Sequence, residues 1–270
     1  MLARFQKKFA LSNTGLINLL IASMACAFQN FALMLQAGFA YSFIMYMFVA
    51  NLSGSKFTDS NSLFYLGACL VCAMLLLLSS WFQYNASFAG SSKESGVRRI
   101  ILADKIRKIP PSFIKTNSHD IISALTKDCA ALETIQTHFI APFIGSMIFI
   151  AFIALPLLYS DWRMTLAVLW VVPASFMIII FLAKYELRSE LVKSILTDLT
   201  HLILRLGLGT CALTGAILFS QGKLAMNVFI LFVITASRLY DPLEIALNNL
   251  SGVLAAKPAL NRIGVIWHEK

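Results

Sequence analysis

Lys108-Ile109-Pro110-Pro111-Ser112-Phe113-Ile114-Lys115-Thr116-Asn117-Ser118-His119-Asp120-Ile121 lies inside a charged segment, Lys93 to Asp128, with long apolar stretches on both sides. Consecutive prolines cannot continue a helix, and Asn117-Ser118 offers side chains that cap a new one. Around this break the residues keep a helical rhythm, with Ile100, Ile101, Ile106 and Ile109 before it and Ile121, Ile122, Leu125 and Leu132 after it. The implied shape is a helix running out of the membrane, a short crossing segment, and a helix running back. A solvated basic loop is the plainer alternative, since such loops are common on the cytoplasmic side of membrane proteins.

Composition places the chain in a bilayer. With 59% hydrophobic and 13% charged residues, it carries more apolar surface than one water-soluble core of this length hides. Charge-free runs lie between Lys8 and Lys56, Asp59 and Lys93, Glu133 and Asp161, Arg163 and Lys184, Arg205 and Lys223, and Lys223 and Arg238. Backbone in hydrocarbon must bond within its own segment, and about 20 helical residues cross about 30 Å. Six spans are therefore expected, roughly Leu16 to Val49, Ser62 to Phe88, Ile135 to Tyr159, Met164 to Ala183, Leu202 to Ser220 and Leu224 to Arg238. The last two are short and need flanking charges that reach the interface.

Lys and Arg are retained on the cytoplasmic side. Arg4, Lys7 and Lys8 precede the first span, and Lys93, Arg98, Arg99, Lys105, Arg107, Lys108, Lys115 and Lys127 fill the second connection. The intervening turns carry only Lys56, Arg163 and Lys223, while Lys184, Arg188, Lys193, Lys257, Arg262 and Lys270 return the excess to the inside. Both termini are expected in the cytoplasm, with a bacterial inner membrane as the expected location. The net charge of +9 then reflects topology and anionic lipid rather than nucleic acid. The apolar stretch after Lys8 is too long for a signal peptide, so residues 1–14 are expected to stay attached as an interfacial segment.

Catalytic chemistry finds little support. The five cysteines, Cys26, Cys69, Cys72, Cys129 and Cys211, are scattered in or beside apolar helices and read as small buried hydrophobes. His119, His138, His201 and His268 are equally dispersed, and no metal site or catalytic residue is expected. HExxH, GxSxG and paired carboxylates are missing, and Gly222-Lys223 lacks the rest of a P-loop. If ATP drives this protein, another domain binds it and its Mg ion.

Within the first span Asn18, Gln29 and Gln36 return to nearly the same helix face and form a polar stripe. Such residues either bond to neighbouring helices or line a wet pathway, and both uses place the stripe inward. Phe28, Phe39, Tyr41, Phe43 and Tyr46 are candidates for contact with an apolar or amphipathic cargo, although interfacial anchoring explains such aromatics equally well. Gly207, Cys211 and Gly215 form a ridge of small residues suited to helix packing. Arg238 and Asp241, three apart, are expected to meet on the last helix near Pro242.

Lys108 to Asp128, with Asp161-Trp162-Arg163-Met164-Thr165-Leu166 and Pro173, resembles the transmembrane domain of ABC transporters of the exporter fold. That family marks its first coupling helix with a Pro-x-Ser-Phe-Phe start, a Thr-Gly-Glu-like crossing and a Ser-Arg-x-x-x-Asp exit. Here Pro110, Ser112, Phe113 and Ile114, then Ser118, His119 and Asp120, then Ser123, Ala124 and Asp128 match it. His119 replaces the usual Gly and Ala124 the usual Arg. Ser237-Arg238-Leu239-Tyr240-Asp241-Pro242-Leu243 and Ala255 to Ile263 are similar to the last span and the linker before a nucleotide-binding domain, closest to the siderophore-importing branch.

The resemblance implies an all-α six-span bundle over residues 15–255 with cytoplasmic helical extensions, followed by a linker stub at 256–270. It also implies that Phe113, Ile114, Lys115, Thr116, Asn117, Ser118, His119 and Asp120 couple to a partner ATPase domain. Two such transmembrane domains, as a homo- or heterodimer among membrane lipids, would enclose the pathway of an amphipathic or siderophore-like cargo. The family's second coupling helix needs two long extensions between the fourth and fifth spans, but only Lys184 to His201 is available. A descent of about 25 Å and a return need roughly 34 residues. Tyr185 to Leu196 contains no Gly, Pro or Asn, so a join near Ser189 after loss of the intervening segment is expected, an ordinary short turn being the alternative. A truncated, non-transporting remnant or regulatory partner is the rival functional reading.

Overall fold

The computed structural model describes residues 13–53, 59–108, 118–184 and 190–248, and its regular elements are all helical. Helix α1 is Asn13–Ser53, α2 Asp59–Tyr84 and α3 Gly90–Ile106. Helices α4 (Ser118–Ser123), α5 (Cys129–Ile135) and α6 (Ala141–Ser160) follow. The remainder is α7 (Trp162–Leu169), α8 (Val171–Lys184), α9 (Glu190–Ser220) and α10 (Met226–Asn248). Wider π-helical turns at Asn85–Ala89, Ala124–Asp128 and Gln136–Ile140 join α2 to α3, α4 to α5 and α5 to α6 without breaking the helical path.

Four helical stretches are long and apolar enough to cross a membrane: Thr14–Val49, Leu63–Ile106, Ile121–Ser160 and Asp198–Ser220. The expected fourth span, Met164 to Ala183, is divided at Trp170 into α7 and α8, neither of which reaches that length. Pro173 removes the N–H that would have bonded the Leu169 carbonyl, which accounts for the break just before it. The expected sixth span lies on α10, which starts at Met226 and continues through Pro242 to Asn248.

The chain divides into two compact units. The described residues of the first are 13–26, 82–108 and 118–144. Its apolar core is Leu19, Ala22, Cys26, Leu102, Ile121, Cys129, Leu132, Ile135, Ile140 and Ala141. Helix α3 turns Ser91, Glu94, Ser95, Arg98 and Leu102 inward, while Ile100 is 64% exposed. Of the residues in the isoleucine rhythm, Ile121 and Leu132 enter this core and Ile106 and Leu125 pack against it, whereas Ile100 and Ile122 face outward. Helix α3 ends at Ile106, one turn before the prolines, because residues preceding proline disfavour the helical conformation.

The second unit, Ala27–Trp81 with Gly145–Asn248, packs Phe149, Met164, Val168, Val171, Leu204, Cys211, Phe232, Ala236, Leu239 and Tyr240 into one core. Asp161 starts α7 in extended conformation, its carboxylate accepting the backbone N–H of Arg163 at 2.8 Å and of Met164 at 3.4 Å. The Asp-Trp-Arg signature is thus a helix cap in physical terms. The α9–α10 turn closes on Gly222, whose φ of +68° suits a residue without Cβ. The N–H groups of Gly222 and Lys223 bond back to Phe219 and Leu218. Gly207 and Gly215 are notches: a Cβ on the first would meet Val171 and Tyr240, and on the second Phe229 and Met164. The ridge of small residues is accordingly a packing seam.

Candidate functional site

The crossing segment lies between two helical rods. Phe113, Ile114, Lys115, Thr116 and Asn117 fall outside the described residues; Ser118, His119 and Asp120 form the first described turn of α4. Leading in, Leu63–Ile106 is 44 residues long, and leading out, Ile121–Ser160 is 40. Each has about twice the roughly 20 residues that a membrane span needs. Their sequence-distant stems pack together within the first unit, α3 against α5.

That stem contact is polar at its centre. The Ser91 and Thr137 hydroxyls share a hydrogen bond in which one donates to the other, and the accepting hydroxyl gives its own proton to the carbonyl one turn earlier, that of Ser87 or of Glu133. Glu94 and Arg98, one helical turn apart on α3, are each only 2% exposed. The carboxylates of Glu94 and Glu133 lie within electrostatic reach of the Arg98 guanidinium. The Glu94 carboxyl occupies the room left by the missing side chain of Gly15, at the described start of α1. Sequence reasoning counted Arg98 only as a topology marker; its spacing from Glu94 was the available signal.

The three residues expected to line a pathway take different roles. Asn18 lies in the first unit against Gly90, whose lack of a side chain leaves space for it. Gln29 donates from Nε2 to the Ser80 hydroxyl at 3.3 Å, tying α1 to α2. Gln36 instead lines an apolar groove of about 500 Å³ with Phe39, Ala40 and Phe43 of α1 and Tyr65, Leu66, Cys69 and Cys72 of α2. Tyr65 stands edge-on to Phe43 at 5.1 Å and tilted against Tyr46 at 5.4 Å. Tyr41 faces elsewhere, its hydroxyl donating to the Asn227 carbonyl. The sequence singled out Phe39 and Phe43 but not Tyr65, because nothing local indicates which face of α2 meets α1.

A second, polar cleft lies between α9 and α10, lined by Asp198, His201, Leu202, Arg205, Leu206, Gly209 and Glu244. His201 Nδ1 stands 3.2 Å from Glu244 Oε1, and Arg238 pairs with Asp241 at 3.3 Å as their spacing implied. Cys26, Cys72, Cys129 and Cys211 are buried and Cys69 is exposed; all are free thiols. Among the described residues no cluster of His, Cys, Asp and Glu has the makings of a metal site.

The fold and these sites define an all-α chain with the long apolar helices of a multi-pass membrane protein. No family model matches it, and no curated protein matches it.

Proposed function

We propose that this chain is the transmembrane part of an ABC transporter of the exporter fold. It spans the inner membrane six times with both termini in the cytoplasm, and its crossing segment, Phe113 to Asp120, docks a partner ATPase domain that binds ATP and Mg. Paired with a second transmembrane domain, it encloses the pathway of an amphipathic or siderophore-like cargo. The observation that carries this reading is the length of the two rods flanking the crossing segment. A span needs about 20 residues, whereas these have 44 and 40 and pack stem against stem beyond what hydrocarbon requires. A rigid stem that holds a short connection away from the bilayer suits force transmission between a soluble domain and membrane helices.

A second reading draws on the α8–α9 connection. Only residues 185–189, outside the described residues, separate Lys184 from Glu190, and α8 packs against α9. A second coupling helix has no residues from which to form, which favours a non-transporting membrane partner that docks but does not convert ATP turnover into transport. Titrating a matched ATPase domain against the detergent-solubilised chain tests the docking common to both readings. Phe113→Ala should weaken binding by about 2 kcal/mol, the size of an interface hot spot, without affecting insertion. Equal binding by the variant overturns the docking role.

A further inference from the structure

We propose that the groove between α1 and α2 binds a neutral, flat hydrophobic molecule that carries one hydrogen-bonding oxygen, and that the Gln36 amide is the group that reads this oxygen. The inference rests on the reading of the chain as a pathway-forming subunit and names the chemistry its wall accepts.

The groove is built at regular helical spacing. Gln36, Phe39, Ala40 and Phe43 share one face of α1, and Tyr65, Leu66, Cys69 and Cys72 share one face of α2. Its volume of about 500 Å³ lies within the range of sites that enclose small molecules. No residue lining it is charged, so a charged ligand group would lose its hydration without a counter-charge. The contacts of Tyr65 with Phe43 and Tyr46 fix its ring as a wall, and aromatic walls favour planar ligands that meet them edge-on or offset.

Gln36 supplies the directional element. Gln29, two turns earlier, satisfies its amide on Ser80. Gln36 makes no such bond among the described residues, and its surroundings in the groove are apolar and aromatic. Gln36 is half-buried on this face, so its Nε2 is open to a ligand carbonyl or hydroxyl that accepts from it. A lipid acyl chain fills the same volume but gains nothing from the amide.

Benzophenone is a suitable probe, having two aromatic rings, one carbonyl and photochemistry that marks its neighbours. The full chain in lipid nanodiscs is irradiated with increasing benzophenone, and adducts are located by peptide mass spectrometry. Saturable labelling of the Gln36–Phe43 and Tyr65–Cys72 segments is expected, with diphenylmethane, which lacks the oxygen, competing at least about five-fold less well. Gln36→Met, similar in length and better suited to lipid, should raise the half-saturating concentration about five-fold, and Phe39→Ala should disperse the labelling. Non-saturating adducts spread over exposed Leu63, Leu70 and Leu77 would overturn the site, as would saturable labelling indifferent to Gln36→Met. The assay contains no ATPase domain, so failure of docking removes the transporter reading and leaves this site standing, and the reverse holds equally.

Discussion

The Tyr240 hydroxyl donates a buried hydrogen bond of 2.8 Å to the backbone carbonyl of Val168, and it does so at the notch left by Gly207. A hydroxyl on α10 thereby reaches α7 past the backbone of α9. Beside it the Trp170 indole donates to the Thr210 hydroxyl at 3.0 Å, whose one proton lies within reach of both the Ala167 and the Gly207 carbonyl. Polar groups at the α7–α8 break are therefore bonded by side chains from the neighbouring helices.

Removing the hydroxyl with Tyr240→Phe should destabilise the solubilised protein by about 1 kcal/mol, the typical worth of one such bond. Gly207→Ala should cost more, since its methyl group would overlap both Val171 and Tyr240. In the double variant the loss should be less than the sum, because the hydroxyl that clashes is gone. Thermal unfolding followed by tryptophan fluorescence reads all three; strict additivity would show that the notch and the bond are independent.

Arg98→Met leaves the buried Glu94 without its neighbouring cation and should destabilise the first unit by roughly 3 kcal/mol. Pairing it with Glu94→Gln should recover most of that loss, since the uncompensated charge is then removed as well. Protease resistance of the Phe82–Ile144 region is the direct measurement. An Arg98→Met protein as resistant as the parent would mean that the α3–α5 stem does not depend on this charge arrangement.

Asp161→Ala should shorten or fray α7 and cost about 1 kcal/mol, with Asp161→Asn and Asp161→Ser retaining most of the cap. The same unfolding assay ranks the variants. If asparagine proves as damaging as alanine, the role of Asp161 lies in its charge rather than in accepting the Arg163 and Met164 N–H groups.

Topology is open to chemical labelling. In a cysteine-free background, single cysteines at Ser118 and Ser60 should respond oppositely to an impermeant thiol reagent applied to intact cells, with Ser60 labelled and Ser118 protected. Labelling at Ser118 from outside contradicts a cytoplasmic crossing segment.

The short α8–α9 connection gives the last expectation. In liposomes with a matched ATPase domain, the native chain should bind that domain on both readings, and on the non-transporting reading it should show no cargo-stimulated ATP turnover. Inserting a helical hairpin of roughly 34 residues between Lys184 and Glu190 should supply the missing reach. Cargo-stimulated turnover by the native chain would discard the non-transporting reading.

Composition, charge-free runs and the proline pair determined that the chain is helical, that several of its helices are long and apolar, and that α3 stops before Ile109, because each follows from local backbone and solvent physics. Small-residue spacing likewise announced the Gly207–Gly215 seam, and the spacing of Arg238 and Asp241 announced their pair. Tertiary structure decided which face of each helix finds a partner. It buried the charged Glu94 and Arg98 beside Leu102 on α3, divided the fourth expected span at Trp170, and separated three similar polar residues into a contact with Gly90, a bond to Ser80 and a groove wall. In an apolar helix nearly every face is compatible with burial, so periodicity alone cannot distinguish lipid from protein; only the neighbouring helix makes that choice.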